Sequence, residues 1–320
     1  MSQPTLVVGR PIFPDVLDEL RRHARVLDNQ AGSTFDAATL AARLAEADGL
    51  MVTAFDPVDA GLLGMAPRLR IVANIGVGYD NVDVAACAGR GVVVTNTPGV
   101  VDDATADVAF ALMLAAARRI AEGDRFVRDG KWSSISQLAM GLDVHHRTLG
   151  IVGFGRIGRA VARRAAGFDM KILYHNRHRL DPAEEARFGV AFADFDRLLS
   201  QSDFVVLQVP ATPETHHLIG PDQLSLMKRT AVLVNTARGG VVDDAALADA
   251  LGRGIIAAAG LDVFEGEPKV HPALLGLPNV VLAPHIGSAT LATRHAMVRR
   301  ASTNLIAFLA GEAPPDRVAT

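Results

Sequence analysis

The 320-residue chain has a single cysteine, Cys87, which excludes an internal disulfide framework and fits a reducing compartment. Cys87 lies in an alanine-rich helical pattern, so it is expected to be a packed thiol rather than a nucleophile. Charge of one sign is also lacking. With 32 Lys and Arg against 35 Asp and Glu, the formal net charge is −3 and no basic block stands out. Neither nucleic acid nor an anionic membrane is therefore implied as a partner. The longest apolar run, residues 108–117, is half of what a membrane span requires, and it reads instead as a buried helix of a core or subunit interface. The opening residues MSQPTLVVGR contain no basic n-region followed by an apolar h-region. No signal peptide is expected, and the cytoplasm is the expected location. Internal repeats and low-complexity segments are absent from the sequence.

What the chain does have is enough apolar material for a large core: 49% hydrophobic residues, with 21% charged, call for no disulfide or metal staple. Short runs rich in Val, Ile and Leu alternate with helical patterns from end to end. Residues 6–8, 25–27, 49–53, 70–74 and 92–95 read as strands of one parallel sheet, with helical stretches such as 37–46 and 82–89 between them. A second series begins at 149–153 and continues at 171–174, 204–209, 231–235, 258–261 and 280–283. Runs that are apolar throughout suit strands covered by helices on both faces. Two such series predict an α/β protein of two doubly wound parallel-sheet domains. The turn signal Thr97-Pro98-Gly99 marks the boundary. A long helical pattern follows from about Asp103 to Ile120, and a last helical segment, 289–310, has no strand after it and is expected to return to the first lobe.

Gly153-Phe154-Gly155-Arg156-Ile157-Gly158 has the G-x-G-x-x-G spacing, with an apolar strand before it and a helix after it. The first glycine permits the tight turn, and the second lets backbone approach a pyrophosphate. The third allows close helix–strand packing, while the helix N-terminus faces the phosphates. A dinucleotide site is the reading that this context supports over a merely structural glycine turn. The acid that would bind both ribose hydroxyls is missing about twenty residues on; the sequence there is His175-Asn176-Arg177-His178-Arg179. Asn176 removes the repulsion of a 2′-phosphate, and Arg177 can pair with it. NADP(H) is expected to be preferred, with NAD(H) the alternative.

Ligands of open α/β sheets bind beyond the carboxyl ends of the strands. Arg238, Glu267 and His285 each follow such an end, after AVLVNT, GLDVF and VVLAP. Their chemistry suits reduction of a 2-oxo acid. Hydride addition puts negative charge on the carbonyl oxygen, which then needs a proton, and histidine titrates nearest neutrality. Glu267 would favour and orient the imidazolium, and Arg238 offers permanently charged donors to the substrate carboxylate and carbonyl. An ordinary Glu–Arg ion pair is the bland alternative. His145, His146, His216 and His217 fall in loops and are expected to be solvated or locally bonded.

The motifs NIGVGYDNVD (74–83), VVVTNTPGVVDDATADVAFALML (92–114), GIVGFGRIGRAVARR (150–164), VNTARGGVVDDAAL (234–247), AAAGLDVFEGEP (257–268) and LAPHIGSAT (282–290) together resemble the D-isomer-specific 2-hydroxyacid dehydrogenase family over nearly the whole chain. The nearest members in character are glyoxylate/hydroxypyruvate and hydroxyphenylpyruvate reductases. The resemblance implies a Rossmann cofactor domain, 99–287, inserted in a flavodoxin-like substrate domain, 1–98 plus 288–320. It maps the catalytic trio onto Arg238, Glu267 and His285. It also places substrate binding on the Val77 and Gly78 backbone together with Arg238 and His285. The implied cofactor contacts are Gly153, Gly155, Arg156, Ile157, Gly158, Asn176, Arg177, Val209, Pro210, Thr215, Thr236, Ala237, Asp262 and Gly287. A homodimer using the helix near 103–120 and a small 2-oxo or 2-hydroxy acid substrate are implied; a metal is not. Asn176 stands where the family's NAD-reading Asp would be, and Val77 where phosphite-oxidising members carry a lysine. Segment 132–146, WSSISQLAMGLDVHH, matches weakly and borders the substrate entrance in relatives. The competing readings are a reductase of bulkier 2-oxo acids, such as hydroxyphenylpyruvate or 2-ketogluconate, and a nucleotide-sensing corepressor-like regulator.

Overall fold

The computed structural model describes residues 3–32, 35–134 and 137–319. Ile135 and Ser136, inside the weakly matching segment 132–146, lie outside the described residues. The chain divides into two compact units, Met1–Val101 with Thr290–Thr320, and Asp102–Ala289.

The first unit carries five parallel strands, β1 (Thr5–Val8), β2 (Arg25–Asp28), β3 (Gly49–Thr53), β4 (Ile71–Ile75) and β5 (Val93–Thr95), in the order β2-β1-β3-β4-β5. This is the flavodoxin-like order. β1 and β4 are buried along their whole length, as strands covered on both faces must be. Aspartates start the intervening helices: Asp36, Asp59 and Asp83 accept the backbone N–H of Thr39, Leu62 and Ala86, satisfying donors that the first helical turn leaves open. The helix Leu291–Leu309 packs on β4 and on the helix Pro14–His23. It is pinned where the Asn304 amide donates to Asn96 O at 3.2 Å, and Val318 N–H beyond it donates to Val94 O at 2.8 Å. Cys87 is fully buried, and burial pushes its thiol pKa up, which fits packing rather than nucleophilic chemistry.

The second unit carries β6 (Thr148–Val152), β7 (Lys171–His175), β8 (Val190–Phe192), β9 (Phe204–Leu207), β10 (Val232–Asn235), β11 (Ala258–Leu261) and β12 (Val280–Leu282). All pair in parallel, in the order β12-β11-β10-β9-β6-β7-β8. The chain moves outward from β6 to β8 and then returns to the other side of β6. That reversal is the topological switch point at which doubly wound sheets bind nucleotides. The edge strand β8 has no counterpart among the strands read from the sequence; it exposes its middle residue, Ala191, and so is not a run buried throughout.

The long helix expected over 103–120 spans Asp102–Ala117 and then breaks: Arg119 takes a left-handed φ of 55°, and a second helix runs Ile120–Arg128. The first helix is apolar around most of its circumference because it packs on β10, β11 and the helix Arg156–Ala166. A Cβ built on Gly260 would lie 2.8 Å from Leu112 Cβ, so helix and sheet meet almost backbone to backbone. The second helix buries none of its residues. Among the described residues, no helix is long and apolar enough to cross a membrane.

Candidate active site

The glycine loop has the form that its spacing predicts. Gly153 holds φ at +95°, and a Cβ there would run into the Gln208 carbonyl and stand 3.0 Å from Val209 N. Around Gly155, by contrast, a Cβ would meet nothing within 4 Å. Gly155 is also the N-cap of the helix Arg156–Ala166 and provides no side chain to satisfy the first-turn N–H groups. An open cradle at a helix N-terminus fits a pyrophosphate. Gly158 packs on the Gly153 carbonyl and the Ile151 side chain, closing helix onto strand.

Asn176 does more than lack a charge. Its Oδ1 accepts the Phe154 N–H at 2.6 Å, so it anchors the glycine loop from the end of β7. Arg177 is exposed beside it. Its charge adds to the hydrogen bond from Thr212 in holding the Glu214 carboxyl below its ordinary range, which places Arg177 facing the loop after β9. Arg179 is committed elsewhere: it forks onto Glu185 with two contacts of 2.8 Å, and Tyr174 donates to the same carboxylate at 2.6 Å. These bonds hold the Glu185 pKa at about 2. Of the two arginines in the basic loop, Arg177 is thus the one available to an anion.

The loop after β9 is closed by Thr215, whose hydroxyl donates to Pro210 O at 2.6 Å and accepts the Thr212 N–H at 2.9 Å. Gln208, just before Val209, donates to the Thr236 hydroxyl at 2.6 Å and ties the end of β9 to the end of β10. Thr236 and Ala237 are buried.

The candidate catalytic residues come from three neighbouring strand ends. His285 Nδ1 lies 2.7 Å from Glu267 Oε2, and the other Glu267 oxygen accepts the Phe264 N–H at 2.9 Å. Burial alone would push the Glu267 carboxyl up. The hydrogen bonds from His285 and Phe264, with the charges of His285 and Arg238, outweigh it and leave the pKa lowered. Arg238 is therefore close enough for its charge to act on the pair. With Nδ1 on Glu267, the His285 ring presents Nε2 on its far edge, the geometry of an oriented acid–base histidine.

Asp262 shapes the turn that carries His285. Its buried carboxylate accepts the Ile286 and Gly287 N–H groups, both at 2.7 Å, while its carbonyl accepts the His285 N–H at 2.8 Å. His285 itself is held at a left-handed φ of 53°. Burial pushes the Asp262 pKa up, against the pull of the two N–H groups and of His285.

Buried amides at strand ends were not anticipated by the sequence reading. Asn235 closes β10, accepts the Ala237 N–H at 3.0 Å and donates to Arg238 O at 2.9 Å, so it sets the turn that presents Arg238. In the first unit, buried Asn74, the last residue but one of β4, donates to Gly78 O at 2.8 Å, and half-buried Asn96, just after β5, donates to Val77 O at 2.8 Å. Both carbonyls of the Val77–Gly78 loop are thus taken by amides, an arrangement that aims its N–H groups elsewhere. The signal was an Asn at or next to the end of an apolar strand in both NIGVG and NTARG.

Comparison with known proteins gives this geometry a family. The model of the D-isomer specific 2-hydroxyacid dehydrogenase NAD binding domain matches residues 110–287. The chain is 49% identical to a glyoxylate reductase of Thermococcus onnurineus over 99% of this chain and 96% of the relative. It is similar to the crystal structure of an NADPH-dependent glyoxylate/hydroxypyruvate reductase of Sinorhizobium meliloti in complex with NADP and malonate, with TM-score 0.89, 38% identity and coverage of 99% of this chain and 97% of that one. A glyoxylate reductase structure from Paecilomyes thermophila gives TM-score 0.91 at 34% identity, covering 99% of each chain. The glycine cradle, the strand-end Arg, Glu and His, and similarity along essentially the whole length lead to one conclusion: the chain belongs to the D-isomer-specific 2-hydroxyacid dehydrogenases, NAD(P)-dependent oxidoreductases acting on a CH–OH group.

Proposed function

We propose that the protein is an NADPH-preferring reductase of small 2-oxo acids, glyoxylate and hydroxypyruvate first among them, yielding D-2-hydroxy acids. The observation that carries the reading is the 2.7 Å His285–Glu267 pair with Arg238 beside it. NADPH, when bound along the Gly153–Gly158 cradle, supplies the hydride. His285 gives its Nε2 proton to the carbonyl oxygen as that oxygen gains charge, and Glu267 keeps the ring oriented. Arg238 holds the substrate carboxylate, and its guanidinium also stabilises the developing oxyanion.

The NADPH preference rests on Asn176, which adds no charge against a 2′-phosphate, and on exposed Arg177. Val209, Pro210, Thr215, Thr236, Ala237, Asp262 and Gly287 complete the cofactor side. The protein acts as a homodimer in the cytoplasm: Ile120, Val127, Trp132 and Met140 expose large apolar surface on and after the unburied helix Ile120–Arg128, and a second copy would cover it. The deciding experiment compares kcat/KM for glyoxylate, hydroxypyruvate, phenylpyruvate and 2-ketogluconate with NADPH and NADH, in the native protein and in His285→Ala. The variant should lose about 100- to 10,000-fold in kcat while still binding cofactor. Unchanged turnover would remove His285 from the chemistry, and a clear preference for phenylpyruvate or NADH would overturn the substrate or cofactor assignment.

A further inference from the structure

His216 and His217 follow the loop after β9, and the fold partners them with a residue from a distant loop. Their rings stack with centroids 4.0 Å apart and 23° between planes. His217 Nε2 lies 3.1 Å from Glu265 Oε2, and its Nδ1 lies 3.9 Å from Asp243 Oδ2. One ligand atom each from His216, His217 and Glu265 falls within 4.8 Å of the others.

The two segments that carry the three side chains are each fixed by backbone hydrogen bonds. His217 N–H donates to Gly240 O at 2.7 Å, Ile219 N–H to Val241 O at 3.0 Å, and Asp243 N–H to Ile219 O at 3.0 Å. Glu265 N–H donates to the buried Asp244 carboxylate at 3.1 Å. Gly240, at φ +69°, leaves space under the first ring: a Cβ there would sit 3.4 Å from His216 Nδ1. Ligands presented from a rigid frame lose little freedom on capturing an ion.

We propose that His216, His217 and Glu265 bind one divalent cation of the zinc class, clamping the loop after β9 to the loop that carries Glu267. Two imidazoles and a carboxylate are a borderline ligand set that suits Zn²⁺ and its neighbours, whereas Ca²⁺ and Mg²⁺ favour oxygen-only shells. Tetrahedral Zn²⁺ with these ligands sets donor atoms about 3.4 Å apart. The stacked rings need only fan apart to converge their lone pairs. His216 and Glu265 are exposed and His217 is half-buried, so the ion has an entry path and room for a water ligand. Asp243, on the far side of His217, supplies the carboxylate that commonly backs a metal-bound imidazole. None of these residues has a part in the proposed hydride chemistry.

The test uses the untagged full chain, treated with chelator and then titrated with ZnCl₂ by calorimetry and by thermal melting. One Zn²⁺ per chain should bind saturably and raise Tm with its concentration, whereas Mg²⁺ and Ca²⁺ do neither. Glu265→Gln should weaken Zn²⁺ at least about tenfold, and His216→Ala with His217→Ala should do the same. The other adjacent pair, His145 and His146, serves as control, and replacing both with Ala should leave affinity unchanged. Cooperative metal-free melting of each variant establishes that it folds, and Glu265→Gln carries the test if the double variant does not. Absence of saturable Zn²⁺ binding overturns the proposal. So does binding that survives in the folded variants, or that is lost with His145 and His146.

Discussion

Gly239→Ala should disable this enzyme with a single methyl group that touches no ligand. Gly239 follows Arg238, and its Cβ position is already filled by backbone of the loop leading to Glu267. The new carbon would collide with the carbonyl of Phe264 and lie 2.8 Å from Glu265 N. Relieving even the last of these contacts to an ordinary 3.4 Å takes about 0.6 Å of backbone retreat, and the Phe264 carbonyl demands more. Overpacking of this kind costs about 1–3 kcal/mol. In a unit of this size that lowers Tm by roughly 2–4 °C per kcal/mol. The kinetic effect should be larger, because the retreat separates Arg238 from the Glu267–His285 pair, and misplacement by about 1 Å can cost about 100-fold. Initial rates of NADPH oxidation with glyoxylate should therefore show kcat/KM down by about that factor. Gly64→Ala is the control, since a Cβ there meets nothing within 4 Å in the helix Ala60–Met65; it should be neutral or slightly stabilising. Wild-type turnover and Tm in Gly239→Ala would refute the claim that close approach of these two loops builds the site.

Further outcomes follow from the charged groups. Glu267→Gln removes the carboxylate that orients the His285 ring at 2.7 Å, so kcat with glyoxylate should fall by about 100-fold; an unchanged kcat would deny Glu267 that role. Arg177→Ala should cut kcat/KM for NADPH by about 10- to 100-fold and spare NADH. Arg179→Ala should leave the cofactor ratio alone and lower Tm, because that guanidinium is bound to Glu185; equal effects of the two variants on selectivity would contradict the assignment. Glu185 is held at about 2, below its ordinary 4.5, so its stabilisation is fully present above about pH 4.5 and is lost as pH falls toward 2. The Tm gap between wild type and Glu185→Gln should accordingly close on acidification, and a gap independent of pH would show that the charge is not the cause.

The strands of both sheets were legible because a doubly wound sheet buries both faces of each central strand and writes each as an unbroken apolar run. Edge strand β8 and the break at Arg119 were not. The first exposes its middle residue and is not buried throughout, and the second depends on a left-handed turn at an arginine, a residue that carries no such preference. Arg238, Glu267 and His285 were readable as polar residues just past strand ends, where open α/β sheets bind ligands. The amides that hold their loops, Asn235 above all, were passed over because an uncharged side chain at a strand end looks like any other turn residue.

The linear sequence by itself determined the two sheets, the glycine turn of the cradle and the candidate side chains past the strand ends, since each is encoded in a local run or spacing. Tertiary structure alone decided which backbone meets which side chain. It sent Arg179 to Glu185, leaving Arg177 for an anion, and it turned Asn176 onto the glycine loop. It pressed Gly239 against Phe264 and carried Glu265 across to His217. Such pairings join residues that can stand up to about fifty positions apart in the chain. They depend on short-range packing and hydrogen bonds, which act only after the strands have brought their ends together.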